Sequence, residues 1–64
     1  MATLPVRLDR DAPGPLGVQL SGRIRGLLLA GTLATGDRLP SSRALARELG
    51  VSRAVTEQAY EQLL

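Results

Sequence analysis

Apolar residues in this chain fall into three helical stretches preceded by an aperiodic one. Residues 1–14 mix Arg7, Asp9, Arg10 and Asp11 with Pro5, Pro13 and Gly14 and carry neither a helical nor a strand period. They read as an extended N-terminal arm. From Pro15 or Leu16, where the fixed φ of proline suits a first helical turn, Leu16, Leu20, Ile24, Leu27 and Leu28 recur at i, i+4, i+8, i+11 and i+12. This spacing predicts a helix with one apolar face, with Arg23 and Arg25 off that face and Gly31 as its stop. Gly22 and Gly26 each cost such a helix about 1 kcal/mol relative to alanine. Packing, rather than propensity, must therefore hold it.

A connector follows, with Gly36-Asp37 as a turn signal and Leu33 and Leu39 as apolar anchors. Pro40-Ser41 marks a second helix start, with Ser41 suited to cap free N–H groups. Leu45, Ala46 and Leu49 form its buried stripe, and Gly50 ends it. A third helix opens at Arg53 with Ser52 as cap. Val55, Ala59 and Leu63 line one stripe, and Thr56, Tyr60 and Leu63 the next. The expected fold is all-α: a three-helix core spanning residues 15–64. A short helix, the turn Gly50-Val51-Ser52 and a longer helix have the spacing of a helix-turn-helix. In a DNA reader of that kind the second helix enters the major groove and presents Ser52, Arg53, Ala54 and Glu57 near its N-terminus. Small residues let the backbone approach, Arg53 can reach guanine O6/N7 or a phosphate, and the helix N-terminus favours phosphate. The same spacing also occurs in small helical domains without a DNA partner, and it leaves both readings open. Arg43 and Arg47, at i and i+4, are either a phosphate-facing edge or a solvated face. Arg47, Glu48, Glu57 and Glu61 read as surface charge, and Tyr60 as a packing residue with its hydroxyl at the surface.

Composition narrows the choice. The chain has 64 residues, no Cys, no His and a single aromatic residue, Tyr60. A domain of this size buries only roughly 60% of its unfolded surface. The missing residue types exclude disulfides, thiolate or imidazole metal ligation, and nucleophile pairs that use His or Cys. Stacking on single-stranded nucleic acid needs more aromatics. No apolar run approaches the ~20 residues of a membrane span, and the N-terminus lacks a signal-peptide pattern. A cytoplasmic protein with no membrane, metal or cofactor site in this chain is expected. All eight cations are arginine, yet the net charge is only +2. Codon usage in a GC-rich genome explains an all-arginine set better than the fit of guanidinium forks to phosphate and guanine does, so their placement has to carry the argument.

Two segments supply more. Gly31-x-Leu33-x-x-Gly36-x-x-Leu39-Pro40-Ser41-x-Arg43-x-Leu45-Ala46, followed by Leu49-Gly50-Val51-Ser52-Arg53, strongly resembles the N-terminal domain of GntR-type regulators. Leu8-Asp9-Arg10-Asp11, Pro15-Leu16 and Gln19-Leu20 upstream, with Ala59-Tyr60-Glu61-Gln62-Leu63-Leu64 downstream, look like the MocR subgroup. The resemblance covers about residues 8–64. It implies sequence-specific binding of double-stranded DNA by a winged helix-turn-helix, with residues 53–64 as the recognition helix. Arg43 is implied as a DNA contact and Arg38 as a second phosphate clamp, with Ser41 beside them in the same segment. Ser52 and Arg53 open the recognition helix, and Ala54 and Val55 are the next two contact positions. Several residues depart from the family pattern. Val55-Thr56 stands where Thr-Val is common, which changes the residue that packs inward. Glu57 replaces a basic residue and can accept from cytosine N4 instead. Ala44 replaces the acidic partner of a capping box, and Gly17 replaces an aromatic.

The resemblance also implies a two-stranded wing after the recognition helix. In the MocR subgroup it implies a larger aminotransferase-like domain that binds pyridoxal phosphate. No strand pattern is present here and the last helix lacks a stop signal, so the chain reads as a fragment of a longer regulator, with a homodimer expected for the full-length form. Two other readings stand beside this one. The chain could be the appendage of a pyridoxal phosphate-dependent enzyme, although with no lysine it cannot itself hold that cofactor covalently. It could also be a small helical protein-interaction module whose uncovered apolar faces dock on another chain.

Overall fold

The computed structural model describes residues 6–33 and 39–63. Three helices follow in order: α1 (Leu16–Leu29), α2 (Ser42–Leu49) and α3 (Arg53–Leu63). No strand occurs among the described residues, so the all-α expectation holds. The expected Gly36-Asp37 turn, Arg38 and Leu64 lie outside the described residues.

Each helix boundary has a local cause. Pro15 precedes α1 at φ −67° and ψ 142°, the extended conformation that proline tolerates before a first turn. Gly31, with φ 79°, turns the chain out of α1 one residue beyond its C-cap. Its N–H bonds the Leu28 carbonyl, and the Leu33 N–H returns to the Leu27 carbonyl. At α2 the Ser41 Oγ accepts from the Ala44 N–H at 3.1 Å, the predicted cap made without an acidic partner at position 44. Gly50 ends α2 at φ 67°, and the Val51 N–H bonds the Ala46 carbonyl at 3.0 Å. A left-handed glycine closing a helix in this way satisfies the last carbonyls at no steric cost. In α3 the backbone carbonyl of Ser52 accepts from the Val55 N–H.

α3 packs on both α1 and α2. Leu20 and Ile24 from α1, Leu45 from α2 and Ala59 from α3 are fully buried, with Val6, Leu8, Leu33, Leu39, Leu49, Val55, Tyr60 and Leu63 partly buried around them. The inward face of α1 is rotated from the one its leucines predict. Gly17 and Ser21 are buried, whereas Leu28 is 39% exposed. Small size at these two positions lets α3 approach. A Cβ on Gly17 would collide with the Gln58 side chain, and the Ser21 hydroxyl lies 2.9 Å from the Gln62 Oε1. Gly22 and Gly26 face open space. No helix among the described residues is long and apolar enough to cross a membrane.

Residues 6–14 of the arm form neither helix nor strand, yet they are tied to the helices at several points. Val6 and Leu8 pack against the core. The Gln19 side chain pairs with the Asp9 backbone in both directions, accepting from its N–H at 2.5 Å and donating to its carbonyl at 3.0 Å. Arg10 reaches across the domain, where its Nη2 donates to the carbonyls of Gly50 at 2.8 Å and Leu49 at 3.3 Å. A guanidinium here satisfies carbonyls that the end of α2 leaves open and meets the negative end of its dipole.

Thr56 is fully buried, and its hydroxyl lies 2.7 Å from the Ser42 carbonyl and 3.0 Å from that of Arg53. The expected cost of Thr56→Val, which keeps the shape but removes the donor, is about 1–3 kcal/mol, read by urea denaturation, with Thr56→Ser losing less. Arg10→Ala should lower stability by about 1 kcal/mol through the α2 terminus. The loss should shrink in Arg10→Lys, and unchanged melting of the alanine variant would show that the arm does not brace the turn.

Candidate nucleic-acid interface

The residues that sequence reasoning marks as contacts cluster at two helix starts. The Thr56 hydroxyl touches Ser42, the first residue of α2, and Arg53, the first residue of α3. Both helix N-termini therefore converge on one buried side chain, and each presents its positive end in the same region. Arg43 follows Ser42 and is exposed, as are Arg47, Ser52, Arg53 and Ala54. Free N–H groups at a helix start, with arginines beside them, suit anionic oxygens.

The marked residues differ in what they have free. Ser41 is exposed, but its hydroxyl oxygen is committed to the Ala44 N–H, so it shapes the start of α2. Val55 is half-buried against the core. Glu57 is exposed and its Oε1 lies 2.8 Å from the Arg53 Nε. Arg38 lies outside the described residues. Arg43, Ser52, Arg53 and Ala54 are thus the marked positions with exposed side chains and no structural duty of the kind Ser41 and Val55 have.

Two supports of this region escape pattern reading. Thr56 reads from its spacing as part of a packing stripe, yet its hydroxyl ties the two helix starts together. A threonine three residues after the start of a helix, where it can bond the i−3 carbonyl, is the signal that could have found it. Tyr60 reads as a packing residue with a surface hydroxyl. The structure corrects the second half, because the hydroxyl donates to the Pro40 carbonyl at 2.5 Å. Pro40 precedes the Ser41 cap, so this bond holds the chain where it enters α2. Burial first, and Glu48 second, raise the Tyr60 pKa above its ordinary value of 10.0.

Comparison with known proteins agrees with this geometry. Residues 16–64 match the family described as bacterial regulatory proteins, gntR family. The chain belongs to the GntR family. It is 46% identical over 63 residues to the HTH-type pyridoxine biosynthesis transcriptional regulator PdxR of Corynebacterium glutamicum, covering 98% of this chain and 14% of that protein. It is 46% identical over 57 residues to the probable rhizopine catabolism regulatory protein MocR of Rhizobium meliloti, covering 89% and 12%. It is also 46% identical over 50 residues to the mannosyl-D-glycerate transport/metabolism system repressor MngR of Escherichia coli, covering 78% and 21%. PdxR and MocR are of the MocR-like subgroup. The chain spans between about an eighth and a fifth of the length of these relatives. No solved structure matches it with significance. GntR-family regulators bind DNA, and the two converging helix starts are the helix-turn-helix of this family.

A raised phenol pKa means that the folded state holds the Tyr60 proton more tightly than the unfolded chain does. Its contribution is fully present below pH 10.0 and is lost as pH rises through the folded value. Thermal melts of the wild type should therefore fall more steeply above pH 10 than those of Tyr60→Phe. Parallel curves would mean that the hydroxyl is not held by the fold.

Proposed function

We propose that the chain is the sequence-specific double-stranded DNA-reading part of a GntR-type transcription regulator of MocR-like kind. The observation that carries this reading is the convergence of two helix N-termini on Thr56, with Arg43 and Arg53 exposed beside them. In this reading α3 enters the major groove by its first turn. Arg53 reaches a guanine edge or a phosphate, Arg43 and Arg38 hold phosphates, and the small residues Ser52 and Ala54 admit the backbone to the groove. Val55 supports this surface from beneath. The weak net charge of +2 leaves little long-range attraction, so affinity rests on these few contacts.

In a longer parent the protein would act as a homodimer on repeated half-sites, as helix-turn-helix dimers do. An aminotransferase-like domain binding pyridoxal phosphate would belong to that parent. The present residues do not fit the cofactor, because the chain contains no lysine to hold it covalently.

The test is titration of labelled duplexes, selected from a random library by the wild-type chain, at several salt concentrations. The logarithm of affinity should fall linearly with the logarithm of salt, and Arg43→Ala should weaken all duplexes nearly uniformly and reduce the slope by about one. Salt-independent binding, or no change in Arg43→Ala with Arg53→Ala, would count against the reading.

A further inference from the structure

The position of Glu57 on the outer side of α3 has no account in the stability of the helix. Arg53 and Glu57 are one turn apart with the cation N-terminal to the anion, the less favourable order for an i, i+4 pair. Arg53 also sits at the positive end of α3, where a cation is disfavoured. Both side chains are well exposed, at 60% and 51%, so the pair seals no part of the core. An arrangement that does little for the helix instead fixes the direction of one guanidinium. The contact is made through Nε, and it leaves the two terminal nitrogens with their outward N–H groups. That edge is the fork that pairs with guanine O6 and N7.

We propose that Glu57 is a specificity-determining positioning residue that holds Arg53 extended, so that its terminal fork meets one guanine. The inference rests on the DNA-reading function proposed above. It assigns Glu57 to orienting Arg53, not to contacting cytosine itself. A carboxylate near the DNA backbone also repels phosphate, so Glu57 lowers affinity for every duplex while sharpening the choice among them. A free arginine at the start of α3 can settle on any phosphate. A tethered one has fewer directions available, and loses less freedom when it docks on its base.

The experiment measures affinities of the chain for the selected duplex, for single-base-pair variants of it, and for an unrelated duplex at one fixed salt concentration. Wild type, Arg53→Ala, Glu57→Ala and the double variant are compared, with helix content checked by circular dichroism. The guanine read by Arg53 is the position at which Arg53→Ala loses discrimination. Glu57→Ala should lower discrimination there by about three- to tenfold, part of what a good bidentate pair supplies, while binding the unrelated duplex more tightly than the wild type. In the Arg53→Ala background, removal of Glu57 should change discrimination no further, as expected of residues that act through one another. Unchanged discrimination in Glu57→Ala overturns the proposal while the wild type still reads DNA. An equal loss in the Arg53→Ala background also overturns it, because Glu57 would then read a base directly. A wild-type chain that binds no duplex overturns the DNA-reading function itself, and this inference with it.

Discussion

One buried hydroxyl fixes the relation between the two helices on which function depends. Thr56 lies within bonding distance of carbonyls at the start of α2 and the start of α3, so a change in the angle between these helices would break a hydrogen bond inside the core. Apolar burial of Leu45 and Ala59 is non-directional and does not by itself specify an angle. A buried donor with defined acceptors is directional, and leaving it unpaired costs the whole desolvation penalty. The mutual position of Arg43 and Arg53 therefore follows from one buried hydroxyl bonded to the backbone carbonyls of Ser42 and Arg53.

The rest of the domain reinforces the same region from outside. Tyr60 binds the Pro40 carbonyl just before α2, and Arg10 binds the carbonyls just after it. A two-turn helix is too short to be stable on its own propensity, and α2 is held instead at its entrance, at its exit and along its buried Leu45–Ala46 face. Through Arg10 the described part of the arm thereby braces the helix-turn-helix. A 64-residue chain with few large side chains buries little, and polar ties from distant segments supply rigidity that a larger core would provide.

Much of this was legible from spacing. Glycines and proline placed the helix ends correctly because left-handed closure at Gly31 and Gly50 requires a residue without Cβ, and Ser41 announced its cap. The period of Leu16, Leu20, Ile24 and Leu27 gave α1 but not its rotation. Leucine is apolar wherever it points, whereas the true face is set by where α3 can come close, and that is over Gly17 and Ser21. Pattern reading weights large residues and overlooks small ones. The arm read as extended because no period runs through it. Its docking depends on side chain to backbone bonds over about 40 positions of sequence, which no local pattern encodes. For the candidate site, residue types marked Arg43, Ser52, Arg53 and Ala54, and the structure leaves all four exposed. Residue types could not show that Ser41 is spent on its own helix or that Glu57 lies against Arg53.

That last contact bears on how, under the proposed function, a weakly charged chain would choose a sequence. With eight cations against six anions, the domain cannot rely on a broad basic face to concentrate DNA, and indiscriminate phosphate binding is correspondingly limited. Low non-specific affinity raises the ratio that matters among competing sites. In the proposed reading, Glu57 acts in the same direction, because a carboxylate beside DNA would penalise every phosphate backbone and leave the net gain to a base that Arg53 meets in the right geometry. Rigidity from Thr56, Tyr60 and Arg10 then becomes a condition of specificity, since an oriented arginine discriminates only when the helix carrying it is itself held in place.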